Sequence, residues 1–112
     1  MANLTDQVVK FRDARNWAQF HNPKDCAISL QLEATEVLEH FQWRNGEALT
    51  EYLITHQSDV ADELADVLYW VLLMSHDLGI DIGQAFERKL VKNGEKYPVE
   101  KSKGSAVKYT EL

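Results

Sequence analysis

Two short acidic patterns carry the most chemistry in this sequence: Glu33-x-x-Glu36 and, after 26 intervening residues, Glu63-x-x-Asp66. Residues three apart on an α-helix share one side, so each pattern pairs two carboxylates. If the two helices pack together, four acids converge on one small volume. Bare carboxylates at that range repel, and a hard divalent cation is the natural filler, because Mg²⁺ takes oxygen ligands and bridges to phosphate. Redox iron fits less well. Helical di-iron sites use Glu-x-x-His on two helices, and no Glu in this chain has His three residues later. The donor set is all oxygen, which makes Mg²⁺ the expected cofactor, with Mn²⁺ possible. Acid pairs at this spacing also occur on solvated helix faces. A non-catalytic helical oligomerisation module with an acidic rim is therefore the alternative that the pattern leaves open.

Four main helices are expected to position these residues. Val8, Phe11, Ala14 (or Arg15) and Ala18 recur at helical spacing in a first helix over Asn3 to Phe20, with Asn3 or Thr5 as its cap. His21-Asn22-Pro23 breaks it. A second helix over Asp25 to Trp43 has Ala27, Leu30, Ala34, Val37, Leu38 and Phe41 as its apolar stripe, and Arg44-Asn45-Gly46 stops it. A short helix over Glu47 to His56 leads to a third main helix over Asp59 to Leu78, capped by Ser58. Gly79 ends that helix. Asp81 caps a fourth, which runs to Lys96 and stops at Tyr97-Pro98. Residues 99–112 read as an extended tail. No run alternates as a strand does, so the chain is expected to be one all-α domain over residues 1–112.

Aromatic rings accompany the acids. At 100° per residue, Asp66 falls at about 300° from Glu63 and Trp70 at about 340°. On the second helix Glu36, His40 and Trp43 follow Glu33 in the same sense. Two acids followed by flat rings suit a nucleotide, with phosphates on a cation and the base on the rings. Trp residues at helical spacing serve as core equally well, and His21 and His40 read as packed or surface residues.

Charge and composition narrow the class. With 45% hydrophobic and 27% charged residues, the chain is of the soluble globular type. A net charge of −6 argues against a nucleic-acid backbone binder. From Leu30 to Ile82 there are eleven acids and one base, Arg44, whereas Gly83 to Leu112 carries seven Lys/Arg and four acids. That division places an acidic well mid-chain and cations towards the C-terminus, where they could meet an anionic ligand. Cys26 is alone, which excludes an internal disulfide, fits a reducing compartment and reads as an inert buried thiol. No apolar signal core or membrane-length run is seen, so the cytoplasm is expected. The third helix is apolar on every side from Leu64 to Met74. A chain of 112 residues has little material to cover it, which predicts a dimer or a dimer of dimers.

Taken together, the acidic patterns, Arg15-Asn16-Trp17-Ala18-Gln19-Phe20-His21 with Pro23, Glu39 with Phe41-Gln42-Trp43, Glu63-Leu64-Ala65-Asp66-Val67-Leu68, Lys89, Asn93, Lys96-Tyr97-Pro98 and the closing Lys108-Tyr109-Thr110-Glu111-Leu112 resemble the MazG-like all-α nucleoside triphosphate pyrophosphohydrolases, in their dCTP pyrophosphatase branch. The resemblance covers nearly the whole chain. It implies a MazG-like four-helix bundle in a homo-oligomer, with dimeric units paired into a homotetramer. It also implies Mg²⁺-dependent hydrolysis of deoxynucleoside triphosphates, dCTP-like ones preferred, to monophosphate and pyrophosphate in nucleotide-pool housecleaning. A pyrophosphohydrolase of a phosphoribosyl-nucleotide is the other enzyme reading. By position the resemblance gives catalytic and metal roles to Glu33, Glu36, Glu63 and Asp66. Substrate contacts go to Trp17, His21, Trp43 and Trp70, and phosphate contacts to Lys89, Asn93, Lys96 and Tyr97. Two positions depart from the branch. Trp70 stands where Tyr is expected and His40 where an aliphatic residue is expected, and both bear on base preference.

Overall fold

The computed structural model describes residues 2–111, with the side chains of Ala2 and Tyr109 left aside. Among the described residues every regular element is helical, as the sequence predicts. Two compact units are formed, residues 1–79 and residues 80–112. In the first, α1 (Ala2–Ala14), a 3-10 turn (Ala18–Phe20), α2 (Pro23–Glu39) and α3 (Gly46–Asp77) follow one another, and both α1 and α2 pack on α3.

The first helix stops six residues earlier than its apolar spacing predicts. Asn16 adopts φ +55°, the left-handed conformation that Asn tolerates at helix ends. Its amide donates to Asp13 O at 3.0 Å, and the Trp17 amide donates to Arg12 O at 3.2 Å. This is a Schellman termination, completed by an edge-on contact of Trp17 with Phe11, centroids 5.9 Å apart. The helix begins at Ala2, so Asn3 and Thr5 lie inside it rather than capping it.

Asn22 caps α2, its Oδ1 accepting from the Asp25 amide at 2.8 Å, and Pro23 occupies the first turn, where a missing N–H costs nothing. The helix therefore starts two residues before the expected Asp25 and ends at Glu39. The segment up to Trp43 forms turns.

The expected short helix and third helix are one element. No Gly or Pro separates His56 from Asp59, so α3 runs for 32 residues and Ser58 lies inside it. The join survives as a kink at His56, with φ −118° and ψ 18°. There the His56 Nδ1 lies 3.1 Å from Tyr52 O, and the Thr55 hydroxyl donates to the same oxygen at 3.2 Å. Side chains that compete for a helix carbonyl bend the helix.

Cys26, Leu72 and Leu73 form the buried apolar centre of this unit, with Arg12 and Ser75 buried beside them. Arg12 Nη1 donates to Asp77 Oδ2 at 2.7 Å, tying α1 to the end of α3. The hydrogen bond to Asp77 raises the Arg12 pKa further. Within the single chain α3 is not covered on all sides: Leu64 is 54% exposed. On α2, Ile28, Leu32 and Leu38 are exposed as well.

The second unit holds α4 (Ile82–Lys96), α5 (Val99–Ser102) and a 3-10 turn (Tyr109–Glu111). Asp81 caps α4 as expected, its Oδ1 accepting from the Gln84 amide at 3.1 Å. The predicted extended tail carries two helical turns instead. Pro98 sits at the cap of α5 with φ −63°, and its carbonyl accepts from the amides of Lys101 and Ser102. Leu112 lies outside the described residues. No described helix is long and apolar enough to cross a membrane.

Candidate functional site

Helical spacing and the packing of α2 on α3 bring the four acids together. Glu33, Glu36, Glu63 and Asp66 each offer a carboxylate oxygen, and these atoms all lie within 4.8 Å of one another. Glu33 and Glu63 are half-buried, while Glu36 and Asp66 are exposed. Such crowding resists ionisation. Burial pushes Glu33 above the ordinary glutamate value, helped by a hydrogen bond to Glu36 and by the charges of Glu36, Asp66 and Glu63. Glu63 is raised first by its hydrogen bond with Glu36, then by burial and the neighbouring charges, and the His40 imidazole opposes this. His40 Nε2 stands 3.9 Å from Glu63 Oε1.

The donor chemistry fits a hard divalent cation. All four ligands are oxygen, the set that Mg²⁺ and Mn²⁺ prefer. The Oε2 atoms of Glu33 and Glu63 are buried without a hydrogen-bond partner. Buried carboxylate oxygens left unsatisfied in one acidic cluster are costly unless a positive charge meets them.

Next to the acids is an aromatic cavity of about 320 Å³, lined by Phe11, Trp17, His21, Asp66, Tyr69 and Trp70. Asp66 belongs to both the cavity and the acidic cluster. The Schellman turn places Trp17 and Phe11 at its wall, and His21 follows the 3-10 turn. Trp70 meets His21 edge-on, centroids 5.3 Å apart, and Tyr69 edge-on at 5.1 Å. His21 Nδ1 is buried without a hydrogen-bond partner.

Three of the expected substrate residues, Trp17, His21 and Trp70, thus share one cavity with a cluster acid. Trp43 does not line it; it is 83% exposed on the turns after α2. Lys89, Asn93 and Lys96 lie on α4 in the second unit, and Tyr97 is the C-terminal cap residue of that helix. The sequence reading missed Phe11, which it took only as packing, and Tyr69. The signal for Tyr69 was present: it follows Asp66 by one turn, as Trp70 does.

Residues 28–112 match the model of the MazG-like family, and the chain belongs to that family. Among curated relatives it is 34% identical over 109 residues to dCTP pyrophosphatase 1 of Mus musculus and 31% identical over 106 residues to that of Homo sapiens. Each alignment takes in 93% of this chain and 62% of the relative, so the chain spans about 62% of the length of those proteins. A crystal structure of a pyrophosphatase from Archaeoglobus fulgidus superposes with a TM-score of 0.81 at 38% identity, covering 88% of this chain and 92% of that one.

Proposed function

We propose that this chain hydrolyses deoxynucleoside triphosphates, dCTP-like ones preferred, to the monophosphate and pyrophosphate in a Mg²⁺-dependent reaction. One observation carries the reading: four carboxylates within 4.8 Å, two with unsatisfied buried oxygens, beside a ring-lined cavity that shares Asp66. The names of the mammalian relatives and of the archaeal pyrophosphatase support it.

Glu33, Glu36, Glu63 and Asp66 would hold the cation. When bound, it supplies counter-charge for the triphosphate and makes water a better nucleophile. The protein's side chains do the rest. Trp17, Trp70, Phe11 and Tyr69 hold the base, and His21 Nδ1 offers its polar edge a hydrogen bond. Water attacks the α-phosphorus, the bond to the bridging oxygen breaks and pyrophosphate leaves. Glu33 or Glu36 takes the proton from the water. The acids cannot neutralise the leaving group, so cations are required. Lys89 and Lys96 would take that task, with Asn93 and Tyr97 as further phosphate contacts.

Self-association belongs to the same proposal. Ile28, Leu32, Leu38 and Leu64 are exposed apolar side chains on α2 and α3, and a dimer or dimer of dimers would cover them. Light scattering at micromolar concentration tests this, and a monomer would contradict it.

Incubation with a panel of deoxynucleoside triphosphates and Mg²⁺, followed by a pyrophosphate assay, tests the activity. The expected result is pyrophosphate release, fastest from dCTP or a cytosine analogue, and far slower release by Glu63→Gln. Inertness towards every simple triphosphate would overturn it.

A further inference from the structure

His40 and Tyr52 lie outside the four acids and the cavity, yet their geometry leads directly to Glu63. The Tyr52 hydroxyl is 2.6 Å from His40 Nδ1. The other ring nitrogen, Nε2, faces Glu63 Oε1 at 3.9 Å, with the His40 side chain only 16% exposed. A ring nitrogen that faces a carboxylate carries a proton in its favourable tautomer, so Nε2 is the N–H. Nδ1 is then the acceptor, and the Tyr52 hydroxyl donates to it.

Tyr52 is itself held from both sides. The Arg44 guanidinium carbon lies 3.6 Å from its ring centroid, and the His56 ring stacks at 4.0 Å with an interplanar angle of 9°. Two groups so close to one centroid must approach from opposite faces. Arg44 is anchored in turn, Nη1 donating to His40 O at 2.8 Å. The off-helix conformation of His56 occurs at the residue that completes this stack.

We propose that His40, fixed by Tyr52, is a positioning residue that orients the Glu63 carboxylate for the divalent cation. Oε1 turns towards the imidazole, which leaves the buried and partnerless Oε2 for the metal. Groups that hydrogen-bond to a ligand fix its orientation and raise its affinity for the ion. A side-chain shift of about 1 Å would bring Nε2 to hydrogen-bond length. The proposal rests on the reading of the four acids as a cation site.

The test uses the full, metal-free chain, with Mn²⁺ alone as the probe and binding measured by calorimetry. Wild type is compared with His40→Leu, His40→Gln and Tyr52→Phe, each checked for helicity by circular dichroism. His40→Leu is expected to weaken Mn²⁺ binding about 10- to 100-fold, and Tyr52→Phe about 10-fold. His40→Gln, whose amide places an N–H donor near the same point, is expected to restore most of the affinity. Nitrogen NMR of the imidazole should show His40 as the Nε2–H tautomer in wild type and a tautomer mixture in Tyr52→Phe. Tyr52→Phe removes one oxygen and keeps the stacked ring, so it reports even if His40→Leu fails to fold. Equal Mn²⁺ affinity in wild type and Tyr52→Phe, or an Nδ1–H tautomer in wild type, would overturn the proposal alone. No Mn²⁺ binding by wild type would overturn the cation reading and this proposal together.

Discussion

The first unit holds two groups of charges between its helices, built in opposite ways. Arg12 and Asp77 join α1 to α3 as a pair of opposite charges, donor to acceptor at 2.7 Å. Glu33, Glu36, Glu63 and Asp66 join α2 to α3 with four groups of one sign, and burial together with the Glu36 and Asp66 carboxylates raises the proton affinity of both Glu33 and Glu63. The first arrangement balances opposite charges within the chain, although Arg12 Nε is left without a hydrogen-bond partner and has only the Asp13 carboxylate at 3.8 Å. The second stores repulsion that only an added cation or added protons relieve. The difference is one of charge: the pair nearly cancels its own, and the four acids do not.

Substitutions separate the two groups. Glu63→Gln should lower pyrophosphate release about a thousandfold, roughly 4 kcal/mol of barrier, while thermal unfolding stays unchanged or shifts upward. A marked fall in stability with activity retained would reverse the assignment. Arg12→Met should do the opposite. It leaves Asp77 without its partner, and breaking a buried pair costs about 3–5 kcal/mol. Asp77 is 24% exposed on its side chain, which favours the lower end. Chemical denaturation measures the loss, and turnover below the unfolding temperature should be near normal.

Adding Mg²⁺ to metal-free protein should raise stability by about 2.7 kcal/mol at a hundredfold excess over its dissociation constant. In Glu63→Gln the increment should largely vanish, and in Arg12→Met it should persist. An equal increment in all three proteins would place the ion elsewhere. Trp17→Ala should raise KM about tenfold with a smaller effect on kcat, as expected for loss of a base-stacking ring.

The smallest effect concerns Cys26, which is buried beside the Arg12–Asp77 pair. Burial pushes its thiol up, the Asp77 charge adds to this and Arg12 opposes it. The folded state therefore favours the protonated thiol. Its contribution to stability is present below the thiol value of the unfolded chain and is lost as pH rises through the higher folded value. Thiol labelling at mildly alkaline pH should be slower than in urea, and slower still relative to the unfolded chain in Arg12→Met, if that variant folds.

The acid quartet was legible because spacing along a helix directly encodes a shared side. The same logic found Trp70 beside Asp66, and residue type at helix ends marked the cap at Asp81 and the stop at Gly79. Other features depend on contacts that no local spacing encodes. The end of α1 relies on Asn16 entering the left-handed region with Trp17 folded back on Phe11, and the apolar residues at helical spacing continue through that point to Ala18. The join between the expected short helix and α3 lacks a breaker, so a cap residue at Ser58 proved a poor guide. Tyr69 carries the same spacing signal, one turn after Asp66 and about 60° from it on the wheel, but it sits in a run of apolar residues that masks it. Likewise Trp43 carries the right ring at the right spacing for a continuing helix, but α2 ends before it and the projection fails. His40 and Tyr52 are brought together by the turn between α2 and α3, and neither residue alone signals that.

Crystals of the metal-free protein soaked in Mn²⁺ test the central claim most directly, through anomalous diffraction. The account predicts a peak among Glu33, Glu36, Glu63 and Asp66, about 2 Å from oxygens of Glu33 and Glu63. A map without a peak there, or with the ion bound only elsewhere, would contradict it.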